Sequence, residues 1–111
     1  MTTLSTHVLD TMHGQPAAGL AVVLSGPDGE IARGITNADG RCPELAQAAL
    51  KPGRHALRFG VAAYFRARGV TLPAPPFLDE VTIDFGIAAD GGHYHVPLLV
   101  SPYGYSTYRG S

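Results

Sequence analysis

The stretch that decides the fold is His93-Tyr-His-Val-Pro-Leu-Leu-Val-Ser-Pro-Tyr-Gly-Tyr-Ser-Thr-Tyr-Arg-Gly-Ser111, which predicts two β-strands joined by a turn. Residues 93–100 alternate with a period of two, as the two faces of a strand do. The side chains predicted to face the core are those of Tyr94, Val96, Leu98 and Val100. The opposite face carries His93, His95, Pro97 and Leu99. The alternation therefore predicts a half-buried strand that presents two imidazoles on its other face.

Ser101-Pro102 interrupts the alternation, and β-favouring residues resume over 103–109. A two-residue loop at 101–102 places His95 opposite Tyr108, so that an imidazole and a phenol would touch. A loop longer by two residues shifts the partners without changing the faces, whereas a one-residue bulge exchanges the faces. The sequence therefore predicts a terminal hairpin and leaves its register open.

The rest of the chain is rich in short strands. They are predicted over 4–10, 20–24, 30–36, 55–59 and 80–87. Residues 61–68 have the pattern of a helix that ends at Gly69, and residues 43–50 predict one or two helical turns. Seven or eight short strands in all, with one short helix, predict an all-β sandwich.

The composition limits the kind of partner. A length of 111 residues with 45% hydrophobic content predicts a single domain, 1–111, with one core. A formal net charge of −1 and 15% charged residues exclude the basic surface of a nucleic-acid-binding protein and a polybasic membrane anchor. The sequence has no apolar run of about 18 residues that could cross a membrane. We therefore expect a small-molecule partner, with no nucleic acid and no membrane.

The single cysteine, Cys42, excludes an internal disulfide, and the first residues lack the basic and apolar regions of a secretory signal. Both features predict a soluble cytoplasmic protein. Cys42 has no predicted helix N-terminus or base beside it, so we expect a small buried residue and not a nucleophile. His13 and His55 match no motif and are expected to be surface or hydrogen-bonded sheet residues.

Two imidazoles on one strand face, His93 and His95, are typical of acid–base sites and also of metal sites. A zinc site would need a third ligand, for which His7 is the candidate, and carboxylates behind the ligands. A plain solvated strand face fits the same residues. Spacing alone does not choose among these three interpretations.

Three separated motifs carry a family resemblance. The terminal Tyr108-Arg-Gly-Ser111 follows a His-x-Pro-Leu-Leu strand at 95–99. Ser5-Thr-His-Val-Leu-Asp10 precedes Gly14-Gln-Pro16, and Thr36-Asn-Ala-Asp-Gly-Arg41 lies in the middle of the chain. In these motifs the chain resembles the 5-hydroxyisourate hydrolases, the transthyretin-like enzymes of urate breakdown. The resemblance is specific, because the motifs occur in the family's order over nearly the whole chain.

The resemblance implies a transthyretin-like sandwich of two four-stranded sheets with one short helix, assembled as a homotetramer that is a dimer of dimers. It implies hydrolysis of the ring amide of 5-hydroxyisourate to 2-oxo-4-hydroxy-4-carboxy-5-ureidoimidazoline, without a metal or organic cofactor. The family's catalytic residues correspond to His7, Arg41 and His95. Its terminal motif supplies Tyr108 and Ser111 as candidates for substrate binding.

The chemistry of these side chains fits that implication. A neutral His7 or His95 can take a proton from an attacking water, while the Arg41 guanidinium binds and polarises the coplanar carbonyl oxygens of a urate-like ring. The alternative is a non-enzymatic, transthyretin-like protein that binds a small ligand. The two histidines and the terminal tetrapeptide, which transthyretin lacks, favour the hydrolase.

Overall fold

A computed structural model of the protein describes residues 2–110, which form ten β-strands, one α-helix and one 3₁₀ helix. The strands, in chain order, are β1 (Thr2–Ser5), β2 (Val8–Asp10), β3 (Gln15–Pro16), β4 (Ala21–Gly26), β5 (Gly29–Ile35), β6 (Gly53–Phe59), β7 (Val81–Ile87), β8 (Gly92–His95), β9 (Leu98–Ser101) and β10 (Gly104–Thr107). The 3₁₀ helix is Pro43–Gln47 and the α-helix, α1, is Val61–Ala67. No helix within residues 2–110 is long and apolar enough to span a membrane.

Two four-stranded sheets form a sandwich, with the strand orders β10-β9-β2-β3 and β5-β4-β6-β7. Their inner faces share one core of side chains that are fully removed from solvent, among them Val8, Leu20, Val22, Leu24, Leu57, Phe59, Leu98 and Val100. The predicted all-β sandwich of two four-stranded sheets with one short helix is confirmed. A separate two-stranded sheet, formed by β1 and β8, was not predicted.

A parallel ladder joins the two ends of the described chain. β1 pairs with β8 and β2 pairs with β9, in both cases with residue i opposite residue i + 90. The ladder is interrupted at 6–7 and 96–97, so the continuous strands predicted over 4–10 and 93–100 are each broken into two. Tyr94, Val96, Leu98 and Val100 are buried, as predicted, while His93 is exposed and His95 and Leu99 are half-buried. Pro97 departs from the predicted face, because it is buried as well.

Pro97 lies at this break and limits the pairing on its other side. The N–H groups on either side of it donate to the carbonyls of Ser5 and His7 at 2.9 and 3.0 Å, so its own nitrogen faces the other way, toward β10. On that side the Pro97 carbonyl accepts a hydrogen bond from the Thr107 hydroxyl at 2.7 Å. Because proline has no N–H to donate, the β9–β10 ladder ends at Thr107.

The terminal hairpin has a different register from the predicted one. β9 and β10 pair around a turn at 102–103, and not at 101–102, so every cross-strand partner shifts by two residues. Gly110 lies opposite His95 and its N–H donates to the His95 carbonyl at 2.8 Å. The predicted pairing of His95 with Tyr108 is therefore wrong, whereas the faces are unchanged, as expected for a two-residue shift.

β6 has the predicted alternation, with His55, Leu57 and Phe59 on its buried side. His55 nevertheless corrects our expectation of a surface or fully hydrogen-bonded residue, because it is only 3% exposed. Its Nδ1 donates to the Gly53 carbonyl at 3.0 Å, and its Nε2 has no hydrogen-bond partner among residues 2–110. The ring packs beside Phe85, with the ring centroids 5.8 Å apart, so its position on the inner face of the sheet explains the burial.

A buried carboxylate ties α1 to the turn that follows β2. Asp10, 1% exposed, accepts hydrogen bonds from the Tyr64 hydroxyl at 2.7 Å and from His13 Nδ1 at 2.5 Å. The His13 backbone N–H donates to the same carboxylate at 3.0 Å, and Arg68 donates to the Tyr64 hydroxyl at 3.1 Å. His13 is therefore hydrogen-bonded, although it lies in the turn after β2 and not in a strand as one of the expectations had it. The network holds the helix against the sheet.

The hydrogen bonds decide the charge of this carboxylate. Burial raises the pKa of Asp10, but the hydrogen bonds from His13 and Tyr64 outweigh it and hold that pKa below the ordinary 3.8. Burial and the neighbouring carboxylate raise the pKa of Tyr64 to about 12, so the phenol keeps its proton and remains a donor. The ionised carboxylate is thus the form that the folded chain stabilises.

We predict that Asp10→Asn lowers the free energy of unfolding at pH 7 by roughly 2–3 kcal/mol, because charge-assisted hydrogen bonds to a buried group are lost. Since the folded pKa of Asp10 is depressed, its contribution should be fully present above pH 3.8 and be lost as the pH falls from there through the lower folded value. Urea unfolding measured against pH tests both effects. Asp28→Asn, in an exposed turn, is the matched control and should change little. Equal stability of Asp10→Asn and the wild type would contradict the network.

Candidate active site

His7 lies at the break between β1 and β2, where the backbone leaves one sheet and enters the next. Its carbonyl accepts the Leu98 N–H at 3.0 Å on one side, and on the other side His7 forms an isolated antiparallel bridge with Arg41. Side chains opposite one another in such a bridge project to the same side. The side chains of His7 and Arg41 therefore share a face, and the His7 imidazole is half-buried there.

A tight turn positions Arg41. The Asn37 side-chain oxygen accepts the N–H groups of Asp39 and Arg41 at 3.0 and 3.1 Å, which closes the turn before the arginine. Gly40 has a φ of +75°, and a Cβ at this position would lie 2.4 Å from the Val8 carbonyl oxygen. Only glycine fits both the backbone conformation and this close approach. The predicted Asp-Gly-Arg turn therefore presents the guanidinium, which is exposed, beside the His7 strand.

The parallel register brings His95 to the same face. Ser5 lies opposite His95, and the Ser5 hydroxyl is 2.8 Å from His95 Nδ1. Burial, followed by the charges of Arg41, His7 and His93, lowers the pKa of His95 below the ordinary 6.5. His95 is therefore a neutral imidazole at neutral pH, with one ring nitrogen held by Ser5 and the other left for chemistry.

Three of the predicted site residues, His7, Arg41 and His95, are thus brought together. Ser5 was missed, although it lies inside the Ser-Thr-His motif, because only the pairing of β1 with β8 shows that its hydroxyl reaches an imidazole. Thr3 was missed for the same reason, since its hydroxyl lies 2.6 Å from His93 Nδ1.

The metal interpretation of the histidines finds little support in the side-chain geometry. His93 has both ring nitrogens in hydrogen bonds, to Thr3 at 2.6 Å and to Ser5 at 3.1 Å. Residues 2–110 contain no group of three or more histidine, cysteine or carboxylate side chains arranged to hold a metal ion. The described residues therefore offer hydrogen-bonded imidazoles and a guanidinium, a set suited to acid–base chemistry.

The terminal motif approaches the site through Gly110. A Cβ at this position would lie 2.5 Å from Cδ2 of His95, so a glycine is required by the close packing against the ring. Tyr108 is 60% exposed and lines a different cleft, of about 240 Å³, which it shares with Tyr94 and Arg109. Ser111 lies outside the described residues. The structure therefore places the backbone of the motif, but not the Tyr108 side chain, beside His95.

Cys42 is buried next to Arg41, as predicted. Burial and the nearby Glu44 carboxylate raise the pKa of its thiol to about 11. A thiol with this pKa is protonated at neutral pH and is a poor nucleophile, so the prediction of a small buried residue is confirmed.

The volumes of the surface clefts alone would place the candidate site elsewhere. A cleft of about 410 Å³ lies beside His55 and Asp84, whereas the cleft beside Arg41 and Ser5 measures about 180 Å³. His7 and His95 line neither cleft. We therefore place the candidate site by its chemistry, on the face where the Arg41 guanidinium and the imidazoles of His7 and His95 come together. On this face Arg41 is exposed, and His7 and His95 are half-buried.

Known proteins resemble this chain over nearly its whole length. The model of the HIUase/Transthyretin family matches residues 4–110. A protein of Pseudomonas aeruginosa named 5-hydroxyisourate hydrolase is 53% identical over 97% of this chain and 90% of its own length.

Solved structures with the same fold include both kinds of protein that the family name joins, a 5-hydroxyisourate hydrolase and a transthyretin. The 5-hydroxyisourate hydrolase of Klebsiella pneumoniae superposes with a TM-score of 0.86 at 40% identity, covering 100% of both chains. Transthyretin from Sparus aurata superposes with a TM-score of 0.84 at 30% identity, covering 99% of this chain and 97% of its own. The transthyretin-like architecture expected from the sequence is confirmed, and the chain belongs to the HIUase/Transthyretin family.

Proposed function

We propose that this chain is a hydrolase that opens the ring amide of 5-hydroxyisourate to give 2-oxo-4-hydroxy-4-carboxy-5-ureidoimidazoline in urate degradation. The observation that carries the proposal is the convergence of His7, Arg41 and His95 on one sheet face. The names of relatives that match nearly the whole chain support the choice of substrate.

His95 is the proposed general base. Its lowered pKa supports a neutral ring at neutral pH, and the Ser5 hydroxyl at Nδ1 leaves Nε2 to take a proton from the attacking water. Neutral imidazole is the form that can accept a proton, whereas imidazolium cannot.

Arg41 and His7 complete the proposed mechanism. The exposed guanidinium of Arg41 would bind the substrate carbonyl oxygens and stabilise the oxyanion that forms when water attacks. His7 lies directly opposite Arg41 and would orient the water or the leaving nitrogen. Each role follows from the position of the side chain relative to the other two.

We also propose that Tyr108 and Ser111 bind substrate. The packing of Gly110 against the His95 ring supports a role for the residue that follows it, because the chain passes directly beside the base. Tyr108 is exposed in one chain and is available for a ligand or a second subunit.

Ligand binding without chemistry is the competing function, because Sparus aurata transthyretin shares the fold. Fold does not decide between the two, since unrelated activities can occupy one architecture. The site side chains favour hydrolysis, because binding alone requires neither a neutral histidine nor a guanidinium beside it.

The decay of freshly generated 5-hydroxyisourate, followed by ultraviolet absorbance, should be faster with the protein than without it. Replacing His7, Arg41 or His95 singly with Ala should lower the rate about a hundredfold or more, the scale of losing a general base or an oxyanion donor. A chelator in every assay should have no effect.

The matched controls are His13→Ala and Arg54→Ala, which change the same residue types away from the cluster. Both should keep nearly the full rate per folded molecule. A His13→Ala loss as large as that of His95→Ala would contradict the assignment, and binding of the substrate without faster decay would support the ligand-binding alternative.

The rate should depend on pH through His95. Since its pKa is lowered below 6.5, the neutral form predominates at neutral pH. We expect kcat/KM to rise with pH and to have its midpoint below about pH 6.5, the ordinary value for histidine. A profile measured from about pH 5 to 8 tests this. A midpoint above the ordinary value would argue against His95 as the base.

We propose that the chain assembles as a homotetramer, a dimer of dimers. Large hydrophobic side chains with at least a third of their surface exposed support a buried interface; they include Ile35, Phe77, Tyr103, Tyr105 and Tyr108. β10 is an edge strand, which two-fold pairing with a second copy would cover. The open face around His7 and Arg41 would then be enclosed by a neighbouring subunit.

Light scattering should give a mass of four chains at micromolar concentration. Tyr105→Lys, which places a charge on the exposed edge strand, should lower the mass and reduce activity together. Lys51→Glu, an exposed charge change outside the strands, is the control. A fully active monomer would contradict the assembly.

We further propose that residues 1–111 act as one domain in the cytoplasm. The single buried Cys42 supports a reducing compartment, because the chain gains nothing from an oxidising one. Fractionation of the producing cells would test the location.

A further inference from the structure

A chain of hydrogen bonds runs from His95 to the protein surface. Ser5 Oγ lies 2.8 Å from His95 Nδ1 and 3.1 Å from His93 Nε2. His93 Nδ1 in turn lies 2.6 Å from the Thr3 hydroxyl. Ser5 and His95 are half-buried, whereas His93 and Thr3 are exposed. The candidate base is therefore joined to solvent on its Nδ1 side by three consecutive hydrogen bonds.

With both rings neutral, this chain is fully satisfied in two arrangements. A serine hydroxyl has one hydrogen, and a neutral imidazole has one N–H and one nitrogen with a free lone pair. If Ser5 donates to His93 Nε2, both rings carry their hydrogen on Nδ1, and His95 Nε2 can accept a proton. If Ser5 donates to His95 Nδ1, both rings carry their hydrogen on Nε2. The two arrangements are the base form and the acid form of neutral His95.

The surroundings of His95 favour a change between these two neutral tautomers over protonation of the ring to an imidazolium. Burial and the charges of Arg41, His7 and His93 lower the pKa of His95, so an imidazolium is disfavoured there. A ring that gains a proton at Nε2 stays neutral only if it loses one at Nδ1. The group hydrogen-bonded to Nδ1 is the Ser5 hydroxyl.

We propose that Ser5, His93 and Thr3 form a proton relay that switches His95 between its two neutral tautomers during the hydrolysis proposed above. They are positioning residues, because they act through His95. The inference rests on that proposed function and assigns to these residues a role beyond holding the ring.

The relay balances in both directions. As water attacks the ring carbonyl, its O–H bond breaks and the proton goes to His95 Nε2. The Nδ1 proton passes to Ser5, the Ser5 proton to His93 Nε2, and the His93 Nδ1 proton to Thr3, whose own proton enters solvent. When the amide C–N bond breaks, Nε2 gives its proton to the leaving nitrogen and every transfer reverses. His95 thus serves as base and then as acid without a charge beside Arg41.

His93→Gln separates a relay from simple orientation. A glutamine amide can accept from Ser5 and donate to Thr3, but it does not take a proton on one atom and release another. A purely structural role would therefore survive the change. His13→Gln is the matched control, because His13 belongs to the Asp10 network.

For the relay, His93→Gln should lower kcat roughly tenfold or more with KM unchanged, less than the loss of the base itself. In mixtures of H₂O and D₂O, wild-type kcat should curve with deuterium fraction because several protons move together, whereas His93→Gln should give a straight line. Ser5→Ala should behave in the same way, and Ser5→Thr, which keeps the hydroxyl, should retain turnover. Ser25→Ala, on the opposite sheet, is the control.

Wild-type kcat with an unchanged isotope curve in His93→Gln would overturn the relay. So would a loss in Ser5→Ala that His93→Gln does not share, because Ser5 would then only orient the ring. Nitrogen NMR of the imidazoles gives a readout without substrate: the relay requires both rings to carry hydrogen on the same nitrogen type, and opposite tautomers would overturn it. Failure of the proposed function is seen separately, as substrate decay that the wild-type protein does not accelerate.

Discussion

The parallel ladder that joins β1 and β2 to β8 and β9 is the constraint on which the rest of the structure depends. Its constant offset of 90 residues decides which side chains meet. Even-numbered side chains of both segments enter the core, while Ser5, His7 and His95 share the other face. A slip of one residue would send the apolar set to solvent and the imidazoles into the core. The hydrophobic free energy that specifies the core therefore also specifies the site.

Two close backbone contacts also help to position the candidate site residues. Gly40 lets the turn before Arg41 contact the Val8 carbonyl, and Gly110 lets the terminal segment pack on the His95 ring. Arg41 and His95 come close enough for the guanidinium charge to act on the imidazole, and burial adds to this effect. Together they keep a histidine neutral beside the cation to which we assign the oxyanion in the proposed mechanism.

The family unites hydrolases and transthyretins on one sandwich, so the chemistry is a property of side chains and not of architecture. The core of this chain would serve either function equally well. What the outer face adds is a set of groups whose protonation states differ at neutral pH: a charged Arg41, a neutral His95, and hydroxyls that can accept or donate. Such a combination of groups can accept and donate protons, whereas enclosing a hydrophobic ligand requires only apolar surface.

The sequence by itself determined the strand faces, the sandwich class, the single helix ending before Gly69, and the motifs that identify His7, Arg41 and His95, because these depend on local periodicity, turn chemistry and short patterns. Tertiary structure alone decided the rest. The break at Pro97, the partner of His95 and the burial of His55 depend on which strands pair and in what register, and residues far apart in the chain set that register. The contact between Ser5 and His95 also depends on it, because 90 residues separate them and no local pattern records the pairing.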